Sequence, residues 1–375
     1  KDGGEFHNHH REDEHKNRHH NFPPAKRKKK NGAVAVATAG VAAAKNNSML
    51  TAFSNEVFVM QSCPHVNIVA VQRYFLYSRG PSTDDVRMVH SYLVMDYANG
   101  GTLYAKLKKQ SAPFTESIAR RYFAQITAAL VHLHRRGIAH RDLKLGNILL
   151  ATNSSNTSSD QEGEEVIKLT DFGLSRLVHS QRGGLMRMSK PAGTLSYMSP
   201  ELVACYVLYN TGQKARIRPY DCFAADMWAL GVCLYLMLRK THPFDSPPVD
   251  KAERVEFARR MMNKQRAGEW RSKVAIITST TATTTATLTS TSIESQQPIL
   301  ASTTATTATS EVCIDLLFKL MEPKHRKRLN VYQVLQHAWL AATTCSGGGG
   351  GGDDDDRSAT TVVDEEKFHH DHHHH

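Results

Sequence analysis

The sequence predicts an α+β protein with two lobes, a small and mostly β N-terminal lobe and a large and mostly helical C-terminal lobe. Between Val57 and Val94, apolar and polar residues alternate around Pro and Gly, as they do in half-buried strands. From Thr115, the expected helix N-cap, apolar residues recur at helical spacing until Gly137, the expected stop. A second helix is expected over about residues 224–238, and because it is apolar on all sides it should be buried.

Composition and charge argue against several classes of protein. With 375 residues and 40% apolar content, the chain can bury a substantial core and is not globally disordered. Its six cysteines are widely spaced and form no C-x-x-C pair, which favours buried thiols over a zinc site or a disulfide framework. The apolar run 228–238 is too short to cross a bilayer, and no signal peptide is visible. We therefore expect an intracellular protein, cytoplasmic and/or nuclear, without a membrane partner.

Low-complexity segments divide the chain. Much of the net charge of +11 lies in the basic run 26–30, which is typical of a solvated tail, so nucleic-acid binding is the less favoured interpretation. The His- and Lys-rich segment 1–31 and the Gly-, Asp- and His-rich tail 344–375 should be disordered, because they hold few apolar residues. One domain then remains at 33–343. Its expected parts are an N-lobe at 33–97, a C-lobe at 98–343, and insertions at about 152–165, 203–218 and 278–310.

Three motifs carry the chemistry of the C-lobe. Residues 140–147 (HRDLKLGN) follow the amphipathic helix, residues 168–173 (KLTDFG) follow a short β-like run, and residues 193–201 (GTLSYMSPE) come third. Each motif alone is weak, but their order and the elements between them leave little room for coincidence. Together they resemble the protein kinase family. Within that family, the sequences at residues 193–197 and 220–221 resemble the calcium/calmodulin-dependent and checkpoint-like group.

The resemblance implies a role for each residue in these motifs. Asp142 would accept the proton of the substrate hydroxyl, and Lys144 would lie near the γ-phosphate of ATP, as in kinases specific for Ser and Thr. Asn147 and Asp171 offer hard oxygen ligands from two chain segments, which suits Mg²⁺ bridging phosphates. Thr194 would help to shape the pocket beside the phosphoacceptor. The implied cofactors are ATP and Mg²⁺, and the implied partner is a protein substrate with a Ser or Thr hydroxyl.

Residues 92–101 (YLVMDYANGG) resemble the last strand of the small lobe and the hinge that follows it. By this resemblance Met95 is the gatekeeper beside adenine. The backbones of Asp96 and Ala98 would hydrogen-bond the base, and Leu149 would form the floor of its pocket.

The C-lobe also contains residues that the resemblance assigns to scaffolding. Asp226, near the start of the buried helix, would hold the backbone of the catalytic loop. Arg328 would pair with Glu201, although its neighbour Arg326 is a rival for this role.

The N-lobe departs from the family pattern. No G-x-G-x-x-G sequence is present to cover the phosphates. Glu56 matches the helix-borne Glu that should pair with a lysine. Two alignments are possible for the position of that lysine. Lys45 lies eleven residues before Glu56 and is slightly favoured, whereas Ala37 has the commoner separation of nineteen. The alternative to an active kinase is therefore a pseudokinase scaffold with weakened nucleotide binding.

One residue of the activation segment is a candidate for regulation. Ser189 precedes the 193–194 pair, and Arg141 stands beside Asp142 in the position that binds an activation-loop phosphate in the family. We expect Ser189 to be a site for an activating kinase, with an unmodified Ser as the equal alternative.

Overall fold

The computed structural model of the chain describes residues 34–42, 47–78, 88–152, 165–178, 188–244, 247–248, 250, 252–274 and 309–341. Its strands are β1 Val34–Ala42, β2 Val71–Ser78, β3 Met88–Asp96, β4 Ile138–Ala139, β5 Ile148–Thr152, β6 Glu165–Leu169 and β7 Arg176–Leu177. Its helices are α1 Asn47–Ser62, α2 Leu103–Lys109, α3 Glu116–Arg135, α4 Pro200–Asn210, α5 Cys222–Arg239, α6 Arg254–Ala267, α7 Glu311–Leu320, α8 Val331–Leu335 and α9 Ala338–Ala341. This is the predicted α+β arrangement, with a strand-rich N-terminal part and a helical C-terminal part.

The small lobe contains one antiparallel sheet in the order β1-β3-β2, together with helix α1. Strand β1 pairs with β3 along its full length, from Val34 opposite Asp96 to Ala42 opposite Met88. Residues 57–62 belong to α1, as expected for the helix that carries Glu56, so the strand-rich part of the stretch from Val57 to Val94 begins only at β2. The buried residues Val57 and Met60 are three positions apart, so this short apolar run also fits one face of a helix.

The large lobe is built around α3 and α5. Helix α3 begins where the sequence predicts, because the Thr115 hydroxyl accepts a hydrogen bond from the Ile118 N–H at 3.3 Å. Its apolar stripe, which includes Tyr122, Ile126 and Leu130, is fully buried. Burial of each such side chain contributes about 1.5–3 kcal/mol. Asp221 caps α5, accepting from the N–H groups of the second and third residues that follow it.

Helix α5 is longer than the apolar run on which the sequence prediction rested. It has 18 residues, which is enough by length and composition to cross a membrane, and it is the one such helix in the described part of the chain. Most of it is buried inside the large lobe, as in the core helix of a folded domain. Gly231 makes this packing possible, since a Cβ there would lie 2.7 Å from Met321 Cγ and 3.0 Å from Leu320 Cβ.

Two of the predicted insertions contain regular structure. The segment 203–218 begins inside α4, where Val203 and Cys205 are buried, and continues into a 3₁₀ turn at Lys214–Arg216. Helix α4 packs on α6, and this apolar face explains why the segment is folded. Strands β5 and β6 include both ends of the segment 152–165, and residues 153–164 lie outside the described residues.

The cysteine prediction is confirmed for the described residues. Five free cysteines are buried there, namely Cys63, Cys205, Cys222, Cys233 and Cys313. Burial raises the pKa of the Cys205 thiol to about 11 and that of the Cys222 thiol to about 12, so neither is a thiolate at neutral pH.

Candidate functional site

A buried carboxylate shapes the loop that carries the first motif. Asp226 Oδ2 accepts hydrogen bonds from the His140 N–H at 2.8 Å and from His134 at 3.0 Å, and its Oδ1 accepts from the Arg141 N–H at 2.8 Å. Burial raises the pKa of Asp226, but the hydrogen bond from His134, the charges of His134 and His140 and the Arg141 N–H outweigh it and hold the pKa below its usual value. The buried group is therefore an ionised carboxylate that fixes two consecutive backbone donors.

The loop geometry is strained at its centre. Arg141 has φ 69° and Asp171 has φ 66°, both in the left-handed region that residues with a side chain rarely adopt. The ring of Phe172 is fully buried and its centroid lies 5.2 Å from that of His140, which joins the first motif to the second. Contacts of His140 with Phe172 and with the Thr170 carbonyl thus hold together the two segments that carry the strained residues.

Asp142 lies at the centre of the site and is almost fully buried. The Lys144 ammonium donates to its Oδ2 at 2.7 Å, and the Thr194 hydroxyl donates to its Oδ1 at 2.7 Å. Lys144 also donates to the Thr194 hydroxyl at 3.0 Å. The structure therefore brings a carboxylate, an ammonium group and a hydroxyl from the first and third motifs into one cluster.

Thr194 reaches this cluster because its neighbour Gly193 has no side chain. Gly193 has φ +105°, and a Cβ there would lie 2.5 Å from the Arg141 carbonyl oxygen. The two chain segments could not approach so closely with any other residue at this position.

Asn147 and Asp171 form an oxygen-rich pair next to Asp142. The Asn147 Nδ2 donates to the Asp142 carbonyl at 3.0 Å and lies 3.2 Å from Asp171 Oδ2. No cluster of three or more His, Cys, Asp or Glu residues able to hold a metal occurs among the described residues. One carboxylate and one amide oxygen are the kind of partial ligand set with which Mg²⁺ binds proteins, because it keeps waters and takes phosphate oxygens for the remainder. These residues therefore fit the implied Mg²⁺.

The hinge is attached to β5 through backbone hydrogen bonds. Gly100 donates to the Leu150 carbonyl at 2.8 Å, and Leu150 donates to the Gly101 carbonyl at 2.9 Å. A Cβ at Gly100 would lie 2.8 Å from Leu150 Cβ, so this contact requires glycine. These bonds, with a backbone bridge between Thr102 and Leu149, hold the segment after the hinge beside half-buried Leu149.

The predicted adenine-binding residues lie along β3 and the hinge. Met95 is buried, and the Asp96 N–H donates to the Ala70 carbonyl at 3.1 Å. Among the hydrogen bonds of the described residues, none has the Ala98 N–H as its donor.

Glu56 projects from α1 towards the second motif. Burial first, and then the nearby charge of Asp171, raise the pKa of Glu56 to about 7, although the Phe172 N–H lowers it. A buried carboxylate beside a second carboxylate is stabilised in its ionised form only by a neighbouring cation. Lys45 lies outside the described residues, and the backbone position of Ala37 is opposite Leu93, two residues before Met95.

Ser189 is next in sequence to a residue that contacts Arg141. Ser189 is exposed, and the carbonyl of the next residue, Lys190, accepts from the Arg141 Nη2 at 3.2 Å. The Arg141 Nε is buried and has no partner among the described residues. Burial and then the charge of Arg141 lower the pKa of Arg176, which indicates a concentration of positive charge at this point.

Two contacts of the activation segment were not predicted from sequence. The Tyr220 hydroxyl donates to the Lys190 carbonyl and accepts from Arg141, at 3.2 and 3.1 Å. Buried Gln265 donates to the Met198 carbonyl at 2.8 Å. Gln265 stands between Lys264 and Arg266, so its neighbours in the sequence did not indicate that it would be buried, and its partner could not be read from the sequence.

Comparison with known sequences agrees with this geometry. CBL-interacting protein kinase 16 of Oryza sativa subsp. japonica is 36% identical over 201 residues, which cover 53% of this chain and 36% of that protein. A probable myosin light chain kinase of Dictyostelium discoideum is 34% identical over 207 residues, covering 55% of this chain and 56% of that protein. CBL-interacting serine/threonine-protein kinase 20 of Arabidopsis thaliana is 34% identical over 197 residues, covering 52% and 36%.

These alignments span between about a third and just over half of the relatives' own length. The relatives are named as kinases, and nothing in the comparisons supports the pseudokinase alternative. The family described as protein kinase domain matches residues 24–340, which is most of the chain. With its three motifs assembled around Asp142 and this match, the chain belongs to the protein kinase family.

Proposed function

We propose that the chain transfers the γ-phosphoryl group of ATP to Ser or Thr hydroxyls of protein substrates, using Mg²⁺. The observation that carries this proposal is the cluster at Asp142, where an ammonium group and a hydroxyl converge on one buried carboxylate. Phosphoryl transfer depends mainly on positioning and on neutralising charge, and this cluster supplies both.

Each residue of the cluster has a role in the proposal. Asp142 orients the substrate hydroxyl and accepts its proton. Lys144 offsets negative charge on the transferred group, and Thr194 shapes the acceptor pocket. Asn147 and Asp171 would hold Mg²⁺, which would neutralise the phosphates when bound.

The nucleotide site is proposed from the hinge. The Ala98 N–H and the backbone of Asp96 would bind the adenine edge, with Met95 behind it and Leu149 below it. Glu56 would pair with the phosphate-binding cation, for which Lys45 is our candidate. The position of Ala37 opposite Leu93 favours the rival register, so the two positions need to be tested together.

The first test is Mg²⁺-ATP turnover on a generic protein substrate. Asp142→Asn should lower kcat by roughly 10²–10⁴, because the amide cannot accept a proton. Asp221→Asn is the matched control, since Asn and Asp cap helices equally well. No activity in the unaltered chain, or equal activity in Asp142→Asn, would favour a pseudokinase.

A second pair of variants tests the lysine. If Lys45 supplies the cation, Lys45→Ala should raise the KM for ATP or abolish turnover. If position 37 is the true site, Lys45→Ala should have little effect and Ala37→Lys should increase turnover.

We also propose that phosphorylation of Ser189 by an activating kinase orders the activation segment. The support is that Ser189 is exposed and adjoins Lys190, whose carbonyl contacts Arg141, and that the buried Arg141 Nε has no partner among the described residues. A phosphate there would accept charge-assisted hydrogen bonds from the guanidinium group. Phosphopeptide mapping of active protein should find Ser189 modified, and active protein with Ser189 always bare would contradict the proposal. Such regulation fits the proposed intracellular location.

A further inference from the structure

A groove with an excess of positive charge runs between the C-terminal end of α3 and the helix α8. Two adjoining cavities form it, one of 730 Å³ that includes His65, His132 and Arg136, and one of 590 Å³ that includes His325 and Arg326. Arg135 lines both cavities. We call these six residues and the space between them the basic groove.

The charge of the basic groove is not balanced by its own lining. Arg135, Arg136 and Arg326 are exposed, and Lys324 and Lys327 flank the groove on the same short turn as Arg326. Within the described part of the chain, none of these five residues forms an ion pair. Asp221 is the one acidic residue among those that line the two cavities, and its Oδ1 is used to cap α5.

The guanidinium groups, rather than the imidazoles of His65 and His132, carry this charge at neutral pH. Burial, and then the positive charge of Arg136, lower the pKa values of His65 and His132. The His132 Nε2 is buried and has no hydrogen-bond partner among the described residues. The groove therefore presents fixed cations together with an unused imidazole nitrogen.

Exposed apolar side chains lie next to the cationic groups of the basic groove. Tyr332 is 48% exposed and Leu335 is 44% exposed, and each of them lines one of the two cavities. Exposed apolar groups between cationic groups suit an extended acidic segment that also carries apolar side chains.

The chain contains such a segment after its last described helix. Residues 353–366 hold seven acidic residues in two runs, 353–356 and 364–366, against one basic residue, Arg357. Val362 and Val363 lie between the two runs. The sign of the charge and the apolar centre both match the groove.

The covalent connection is long enough for this segment to reach the groove. Leu335 precedes Ala341 by six residues, a span of at most about 20 Å. Ala341 precedes residue 353 by twelve residues, which can span up to about 40 Å. Attachment to the same chain also raises the effective concentration of the acidic segment to roughly the millimolar range.

We propose that the acidic segment 353–366 binds the basic groove of the same chain. The contact joins the first acidic run to the turn 324–327 and to Arg135. It does not depend on the proposed kinase activity, because none of the groove residues contacts Asp142, Asn147 or Asp171.

Carbodiimide coupling of carboxylates to lysines, followed by peptide mass spectrometry on the monomeric full chain, tests the proposal. We expect links from residues 353–356 to Lys324 or Lys327. They should fall roughly fivefold or more at 0.5 M NaCl, because the screening length shrinks to about 4 Å. The Arg135→Glu/Arg326→Glu double variant should lose them while keeping both lysines. Arg259→Glu on α6 is the control for a change of charge at another exposed arginine, and it should keep them.

Three outcomes would overturn the proposal. The links could persist in the double variant, or residues 353–356 could couple only to lysines elsewhere. A mixture of isotopically light and heavy chains could instead show only links between chains, which would assign the groove to a second copy. If the double variant misfolds, a second variant with Asn in place of all four aspartates at 353–356 is used. The readout is then the binding of a synthetic peptide of residues 353–366 to this second variant. No binding of that peptide would equally refute the proposal.

Discussion

Arg328 and Glu201 lie 127 positions apart in the sequence and form a bidentate ion pair, with N–O distances of 2.7 and 3.1 Å. The Arg328 side chain is fully buried. It also donates to the Ala224 carbonyl at 2.6 Å and to the Glu322 carbonyl at 3.0 Å. Burial raises the pKa of Glu201, but the charge and hydrogen bonds of Arg328 outweigh it and leave the pKa lowered. The pair joins the end of the third motif to the C-terminal helices, and the rival Arg326 is exposed.

We predict that Glu201→Gln lowers the free energy of unfolding by about 3–5 kcal/mol, because it leaves a buried guanidinium group without a counter-charge. Urea denaturation measures this change. Glu256→Gln is the control, since its pair with Arg260 is 3.9 Å long and solvent-exposed and should be worth less than about 1 kcal/mol. Equal losses in the two variants would show that the buried pair has no special weight.

Asp226→Asn should weaken both stability and catalysis. The amide must turn its N–H₂ group towards either the His140 N–H or the Arg141 N–H, leaving one buried donor unsatisfied at a cost of about 1–3 kcal/mol. Because these donors shape the loop that carries Asp142, kcat should fall as well. Thermal unfolding and turnover measure the two effects, and a loss of stability with unchanged kcat would refute the link to the loop.

Gly193→Ala should displace Thr194 from Asp142. The added Cβ would lie 2.5 Å from the Arg141 carbonyl oxygen, in a backbone conformation with φ +105°. The clash and the strain together should cost at least about 2 kcal/mol. Gly212→Ala separates the two effects, since Gly212 has φ +76° but open space around it and should cost about 1 kcal/mol. Similar losses of stability and turnover in both variants would contradict the role of close approach.

Glu116→Gln should make stability less sensitive to acid. Burial raises the pKa of Glu116, but hydrogen bonds from Ser310 and Trp339 and the charge of Arg120 outweigh it, so the pKa lies below its usual value. The unfolded chain then binds more protons than the folded chain at acid pH, and stability is lost as pH falls from about 5.

Urea denaturation at pH 6.5 and pH 3.5 tests this expectation. Between these pH values, the free energy of unfolding of the unaltered chain should fall by on the order of 1 kcal/mol more than that of Glu116→Gln. Glu311→Gln, a change at an exposed residue, should behave like the unaltered chain. If the free energy of unfolding changed equally between the two pH values in Glu116→Gln and in the unaltered chain, the prediction would be contradicted.

The C-lobe was predictable because its signals are local. The motif residues are contiguous in sequence, and the N-cap Thr115 and the apolar stripe of α3 appear within one helix length. The choice of Arg328 over Arg326 was also predicted, and the ion pair with Glu201 confirms it. The segment 203–218 is part of the folded lobe and not a low-complexity insertion, because its apolar residues Val203, Cys205 and Val207 are buried where α4 packs against α6, a partner distant in sequence.

The sequence by itself determined the family and the α+β class, and it supplied the residues that we propose for the chemistry, because these depend on short motifs and on the hydrophobic period. Only the tertiary structure decided which groups meet. It brought Thr194 to Asp142 and Lys144, gave Asp226 its two backbone donors, and left the groove at Arg135 with unbalanced charge. These relations join segments tens of residues apart, and their distances depend on how the helices pack, which no local pattern of residues records.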